Sequence, residues 1–198
     1  MSILTATTPN PTITPPPMRA VATPPRKKPK WSVEEFHRVR ATGIWDGLRT
    51  YLIRGEIWEQ GPMNPPHANY VDRINEALRA IFTAGYRVRV QTPIVLGDSS
   101  PFPDIAVVKG TLQDFETKHP TTADLIVEIA DSSLFEDTTT KAEVYATGGI
   151  PDYWVLDVEN RMLLIFRDPA PLPEGGMAYR TLLKLKETAA IRAGDLLG

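Results

Sequence analysis

The chain contains no cysteine among its 198 residues and only three histidines. Without thiols it has no disulfide framework, no thiolate nucleophile and no Cys-ligated zinc. No apolar stretch approaches the roughly 20 residues that a membrane-spanning helix needs. The opening MSILTATTPNPTITPPPM lacks the basic-then-apolar order of a secretory signal, so a cytoplasmic protein without a membrane segment is expected. No Walker-type glycine loop, zinc-protease helix motif or GxSxG elbow is found, and no internal repeat. The net charge of −2 argues against a protein that coats nucleic acid, because non-specific affinity comes largely from neutralised phosphates. It leaves open an enzyme whose acidic residues hold a metal while a local basic surface meets DNA.

What is present is an ordinary globular composition, 42% hydrophobic and 23% charged, long enough for one domain with a tail. Residues 1–30 are dominated by Pro and Thr and end in Pro24-Pro25-Arg26-Lys27-Lys28-Pro29-Lys30. So few apolar side chains cannot offset the entropy of ordering, so a flexible arm with a basic end is expected, followed by one domain over 31–198. Ser32 and Glu35 form a capping-box pattern for a short helix to about Arg40. Arg49–Ile53 and Glu56–Gln60 flank Arg54-Gly55, which predicts a β-hairpin. Val71, Ile74, Leu78 and Ile81 recur at helical spacing in a helix opening at His67 and closed by Gly85. Arg87–Gln91 alternates as a strand does, with Pro93–Leu96 as a continuation past a bulge. Asp137 is placed as the cap of a helix from about Thr138 to Thr147, closed by Gly148-Gly149. Strands follow over 152–157, 161–166 and 178–186. The strand-helix-strand unit from Leu125 through Asp157 is the usual crossover between parallel strands. Together these elements predict an α/β fold: a mixed sheet with helices on its faces.

Two carboxylates interrupt apolar strand patterns. Asp104 lies in Pro101-Phe102-Pro103-Asp104-Ile105-Ala106-Val107-Val108, and Glu128 in Leu125-Ile126-Val127-Glu128-Ile129-Ala130. An ionised carboxylate taken out of water is costly unless a metal or cation compensates it. Side-chain alternation puts Phe102, Asp104 and Ala106 on one face, and Ile126, Glu128 and Ala130 on one face. Neighbouring strands in suitable register would bring both carboxylates to one side. Magnesium suits such a pair, since it keeps water and substrate phosphate oxygens in its shell. Lys141, in the first turns of the next helix, is the candidate for orienting water or offsetting transition-state charge, with Tyr145 one turn on. Taken singly, these residues have ordinary roles: a turn aspartate, an edge glutamate, a lysine paired with Asp137 or Glu143 at the surface. Their order and topology make them the ingredients of a metal-dependent phosphodiesterase site.

Pro103-Asp104, Val127-Glu128-Ile129, Asp137 with Lys141 and Tyr145, and Gly149-Ile150-Pro151-Asp152-Tyr153-Trp154-Val155-Leu156-Asp157 together resemble the putative restriction endonuclease (Uma2-like) family of the PD-(D/E)XK nuclease superfamily. The likeness extends upstream through Tyr51–Glu56 and Pro65-Pro66-His67, covering roughly residues 31–190. It implies a restriction-endonuclease-like core with Asp104 and Glu128 as metal ligands and Lys141 as the catalytic lysine. In the standard motif the lysine stands two residues after the Glu, where this chain has Ala130. Similar families carry it on the following helix, as Lys141 is here. Relatives tend to have an acidic residue at Tyr51, so a third carboxylate is missing there, and Glu56 is the auxiliary candidate to complete the shell through water. His67 matches a histidine often found at that helix start, where it could touch phosphate or a metal-bound water, or act as a cap or packing residue.

The resulting expectation is a Mg2+-dependent (or Mn2+-dependent) DNA endonuclease, working as a homodimer if it cuts both strands. The alternative is a nuclease-fold interaction or regulatory module without activity, which the acidic balance and Tyr51 favour. A two-carboxylate glycosidase is a third reading, opposed by the lysine and the short domain. His37 and His119 stand isolated in the sequence, and Trp58 and Trp154 read as core or interface residues.

Overall fold

The structure, a computed structural model, describes residues 29–186. The expected N-terminal arm lies outside the described residues except for Pro29 and Lys30, as do residues 187–198. Helix α1 (Val33–Arg40) carries the full reciprocal capping box of Ser32 and Glu35. Strands β1 (Thr50–Ile53) and β2 (Glu56–Glu59) form an antiparallel hairpin pairing Ile53 with Glu56. Arg54 and Gly55 both take positive φ, 50° and 75°, the pattern of the turn that matches strand twist.

Helix α2 (Pro65–Ile81) begins two residues before His67. Its first positions need no N–H, so Pro65 and Pro66 fit there, and Asn64 caps the helix by accepting from the His67 N–H at 3.0 Å. Strands β3 (Tyr86–Val90), β4 (Ile105–Lys109), β5 (Leu125–Ala130), β6 (Asp152–Asp157), β7 (Met162–Pro171) and β8 (Met177–Lys186) form one six-stranded sheet in chain order. Only β5 and β6 run parallel, and the helical crossover between them is the unit expected over Leu125–Asp157. The fold is therefore a mixed α/β sheet with few helices, as predicted.

Two corrections concern loops and caps. Residues 93–96 do not extend β3. Gln91 sits at φ 48° and ends the strand, and the chain doubles back so that Leu96 bridges Ser99. That excursion presents Ser100 to the hairpin, with Leu52 and Ser100 exchanging backbone hydrogen bonds of 3.2 and 2.7 Å. Nor does Asp137 open a helix as its N-cap. The helical segment starts earlier as α3 (Leu134–Glu136), widens into a π turn over Asp137–Lys141, and continues as α4 (Ala142–Thr147).

Alternation assigns each face of the sheet its own core. Ile105, Val107, Leu125, Val127, Ile129 and Trp154 pack toward α2. Ala106, Val108, Ile126, Ala130, Tyr153 and Val155 pack toward α4 and the hairpin. Glu128 belongs by alternation to the second face, beneath α4. Among the described residues no helix is long and apolar enough to cross a membrane.

The histidines that stand apart in sequence meet in space. His37 and His119 have ring centroids 5.0 Å apart, and His37 Nε2 lies 3.0 Å from Ser100 Oγ. Burial lowers both pKa values, helped by Arg40 for His37 and by His37 and Arg89 for His119. A histidine pKa lower in the folded chain contributes stability above the unfolded value, and that stability is lost as pH falls through the folded value. The thermal midpoint is therefore expected to drop as pH falls below about 6.5. His119→Gln should flatten the drop, and an equally steep profile in that variant would rule the pair out as its source.

Candidate active site

Asp104 is delivered by the residue immediately before β4, and Glu128 by the middle of β5, the neighbouring strand. The pairing of Ile105 with Val127 sets the register. It brings the Asp104 N–H within 3.4 Å of Glu128 Oε2, while the Ile129 N–H donates to Asp104 Oδ2 at 2.9 Å. Each side chain thus meets the backbone of the other's strand. Both residues are 1% exposed, so neither carboxylate is a surface charge.

The second oxygen of Asp104 faces α2. Oδ1 lies 3.0 Å from His67 Nε2 and accepts from Gln91 Nε2 at 3.3 Å. Gln91 holds Asp104 a second way, its backbone N–H donating to the Asp104 carbonyl at 3.0 Å. Its positive φ is the strained backbone that such sites retain. Burial pushes the Asp104 pKa up, but hydrogen bonds from His67 and the Ile129 N–H, with nearby positive charge, bring it below the usual carboxylate value.

Glu128 Oε1 accepts from Tyr145 Oη at 2.7 Å and lies 3.1 Å from Lys141 Nζ. Burial drives the Glu128 carboxyl up to about 8, against the pull of Lys141 and with the push of Asp137 and Asp104. The Lys141 ammonium also contacts Asp137 Oδ1 at 2.8 Å. Burial disfavours that charge, yet Glu128 and Asp137 outweigh it and raise the lysine pKa. Lys141 is therefore a buried ammonium between two carboxylates, 7% exposed, and not the solvated lysine its helix position permits. Tyr145, buried with its pKa raised by burial and Glu128, remains a hydroxyl donor.

Asp104, Glu128, Lys141 and His67 all line one polar cleft of about 200 Å³, shared with Tyr51, Arg49 and Glu136. Tyr145 stands behind it, against Glu128. Glu56 is not brought there: it is exposed, opposite Ile53 in the hairpin. Tyr51 holds the hairpin position where an acidic residue would be looked for. Tyr51 packs below the Lys141 ammonium, 5.8 Å from ring centroid to nitrogen, and its hydroxyl donates to Glu136. A larger cavity of about 360 Å³ lies on the opposite face between α2 and the β6–β8 end of the sheet, with a mostly apolar lining from residues such as Ile74, Trp154 and Leu163. None of Asp104, Glu128, Lys141 and His67 lines it.

Among the described residues no three or more His, Asp or Glu side chains gather as a ready metal cage. The donors on offer are two hard carboxylates opening on a polar cleft. That set fits magnesium, which binds through one or two carboxylates and completes its shell with water and substrate oxygens. It does not fit a dedicated all-protein calcium or zinc cage.

The profile of the putative restriction endonuclease family, Uma2, matches residues 33–191. The chain belongs to the Uma2 family. The match spans every element that positions the cleft, from α1 to β8. The Uma2 fold also matches a crystal structure of a putative nuclease belonging to DUF820 from Anabaena variabilis, at 15% identity and a TM-score of 0.60, covering 84% of this chain and 97% of that one. At that identity the likeness speaks for the fold. No curated protein matches the chain.

Sequence reasoning missed two contributors to this Uma2 site and misjudged a third. Asp137 reads as a helix cap or as a surface partner of Lys141, whereas the structure buries the pair. Glu136 meets Tyr51 across 85 positions of sequence. Gln91 follows a strand, with no local pattern to mark it. The isolated look of His67 in the sequence conceals its Asp104 partner.

Proposed function

We propose that this chain is a Mg2+-dependent DNA endonuclease that also accepts Mn2+, with Asp104 and Glu128 as the metal ligands. Family membership supports nuclease chemistry in general. The observation that carries the finer reading is the convergence of both buried carboxylates and the Lys141 ammonium on one polar cleft. A divalent cation there would supply activation of a water nucleophile and neutralisation of phosphate charge.

The chain's own residues do the rest. His67, Gln91 and the Ile129 N–H hold the Asp104 carboxylate in one orientation. Tyr145 fixes Glu128 through Oε1. Lys141 places an ammonium at the cleft, where it can orient the attacking water and stabilise the extra negative charge as the phosphorus–oxygen bond to the leaving group breaks. In the same reading a cytoplasmic homodimer cuts both strands.

Incubating the full chain with supercoiled plasmid and Mg2+ or Mn2+ is expected to give nicked and then linear DNA, abolished by chelation. The competing reading, a nuclease-fold module without activity, draws on Tyr51 standing where relatives carry an acid. Absence of both cleavage and any metal-dependent shift in the thermal midpoint would decide for it.

A further inference from the structure

We infer that Asp137 is a positioning residue: it anchors the Lys141 ammonium at the cleft independently of Glu128, so that the lysine stays in place when Glu128 engages a cation. The inference rests on the nuclease reading of this same site and adds a residue to it.

Lys141 has two carboxylate contacts, Glu128 Oε1 at 3.1 Å and Asp137 Oδ1 at 2.8 Å. They differ in kind. Glu128 lines the cleft and is the proposed metal ligand, whereas Asp137 does not line it. A cation at Glu128 repels the nearby ammonium and competes with it for carboxylate charge. With Glu128 alone to hold it, the lysine would be driven off as the cation arrives. Asp137 lies behind the lysine, 1% exposed, out of reach of that competition.

Asp137 is itself fixed. Its Oδ2 accepts from Ser133 Oγ at 2.6 Å, and its carbonyl accepts from Tyr153 Oη at 2.8 Å. Its Oδ1 is buried and has the Lys141 ammonium, 2.8 Å away, as its compensating partner. Moving the ammonium away would leave that oxygen unsatisfied, which is costly in the interior. Local backbone serves the same end. The π turn over Asp137–Lys141 turns both ends of the segment inward while Thr139 between them is exposed, and π turns of this kind cluster at functional sites.

The test uses the full chain, with plasmid cleavage kinetics and the side-chain ammonium resonance of Lys141 in nitrogen-labelled protein, both in Mg2+. Asp137→Asn keeps the shape and the Ser133 contact but removes the charge. We expect kcat to fall about 10- to 100-fold with KM unchanged, as for a displaced catalytic group. The Lys141 resonance, visible in the parent with Mg2+, should be lost to exchange in the variant. Unchanged kcat together with an unchanged resonance overturns the inference. Should Asp137→Asn fail to fold, Ser133→Ala decides: a smaller fall in kcat at constant KM supports the anchor, and no fall refutes it. If the parent chain proves inactive, the nuclease reading fails, and the resonance alone then judges the anchor. Persistence of that signal in Asp137→Asn rejects it, and its loss upholds it.

Discussion

Lys141→Met is expected to destabilise the folded chain by about 3–5 kcal/mol, the cost typical of removing one partner from a buried ion pair. The variant fills the aliphatic volume but leaves Glu128 and Asp137 buried without the ammonium that lies 3.1 and 2.8 Å from them. Water from the cleft can reach Glu128 but not readily Asp137, which is 1% exposed and does not line the cleft. For a chain of this size the loss corresponds to a thermal midpoint lower by roughly 10 °C. Denaturant unfolding of parent and variant measures it. A difference within about 0.5 kcal/mol, the range of surface substitutions, would place Lys141 in solvent and dissolve the cluster.

Glu128→Gln is expected to separate activity from stability. Metal-dependent cleavage should fall at least about 10²- to 10³-fold, the scale on which removing one essential electrostatic contact acts. Stability should change little or rise. Burial favours the uncharged form of the Glu128 carboxyl, the form that glutamine imitates in shape. Lys141 keeps Asp137 as its partner, and the Tyr145 hydroxyl keeps an acceptor in the amide oxygen. Parallel measurement of cleavage rate and thermal midpoint checks both halves. Retained activity would remove Glu128 from the site, and a large drop in midpoint would make it a structural acid. The same trade is visible throughout the cleft: groups that cost folding energy are those that chemistry can use.

Much of this was legible in the sequence because two periodicities carry it. Alternation in β4 and β5 states which residues share a face, and the two carboxylates stand out as breaks in otherwise apolar runs. The capping box of α1, the Arg54-Gly55 turn and the β5-helix-β6 crossover are local or nearly local patterns, and each appears in the structure. What the sequence hides is set by contacts between distant segments. Tyr51 meets Glu136, and His37 meets His119, across long separations in sequence. The π turn is a single-residue change in helix winding with no composition of its own, so a regular helix capped by Asp137 is the natural expectation. That one difference moves Asp137 from a helix end into the ionic cluster.

Diffraction from crystals soaked in Mn2+ would locate the cation, since the anomalous signal of manganese reports its position without reference to activity. One strong peak is expected in the cleft, coordinated by carboxylate oxygens of both Asp104 and Glu128, and it should disappear in Glu128→Gln. A crystal saturated with manganese whose peaks all lie elsewhere, leaving these two carboxylates joined only to groups of the protein, would contradict their assignment as metal ligands.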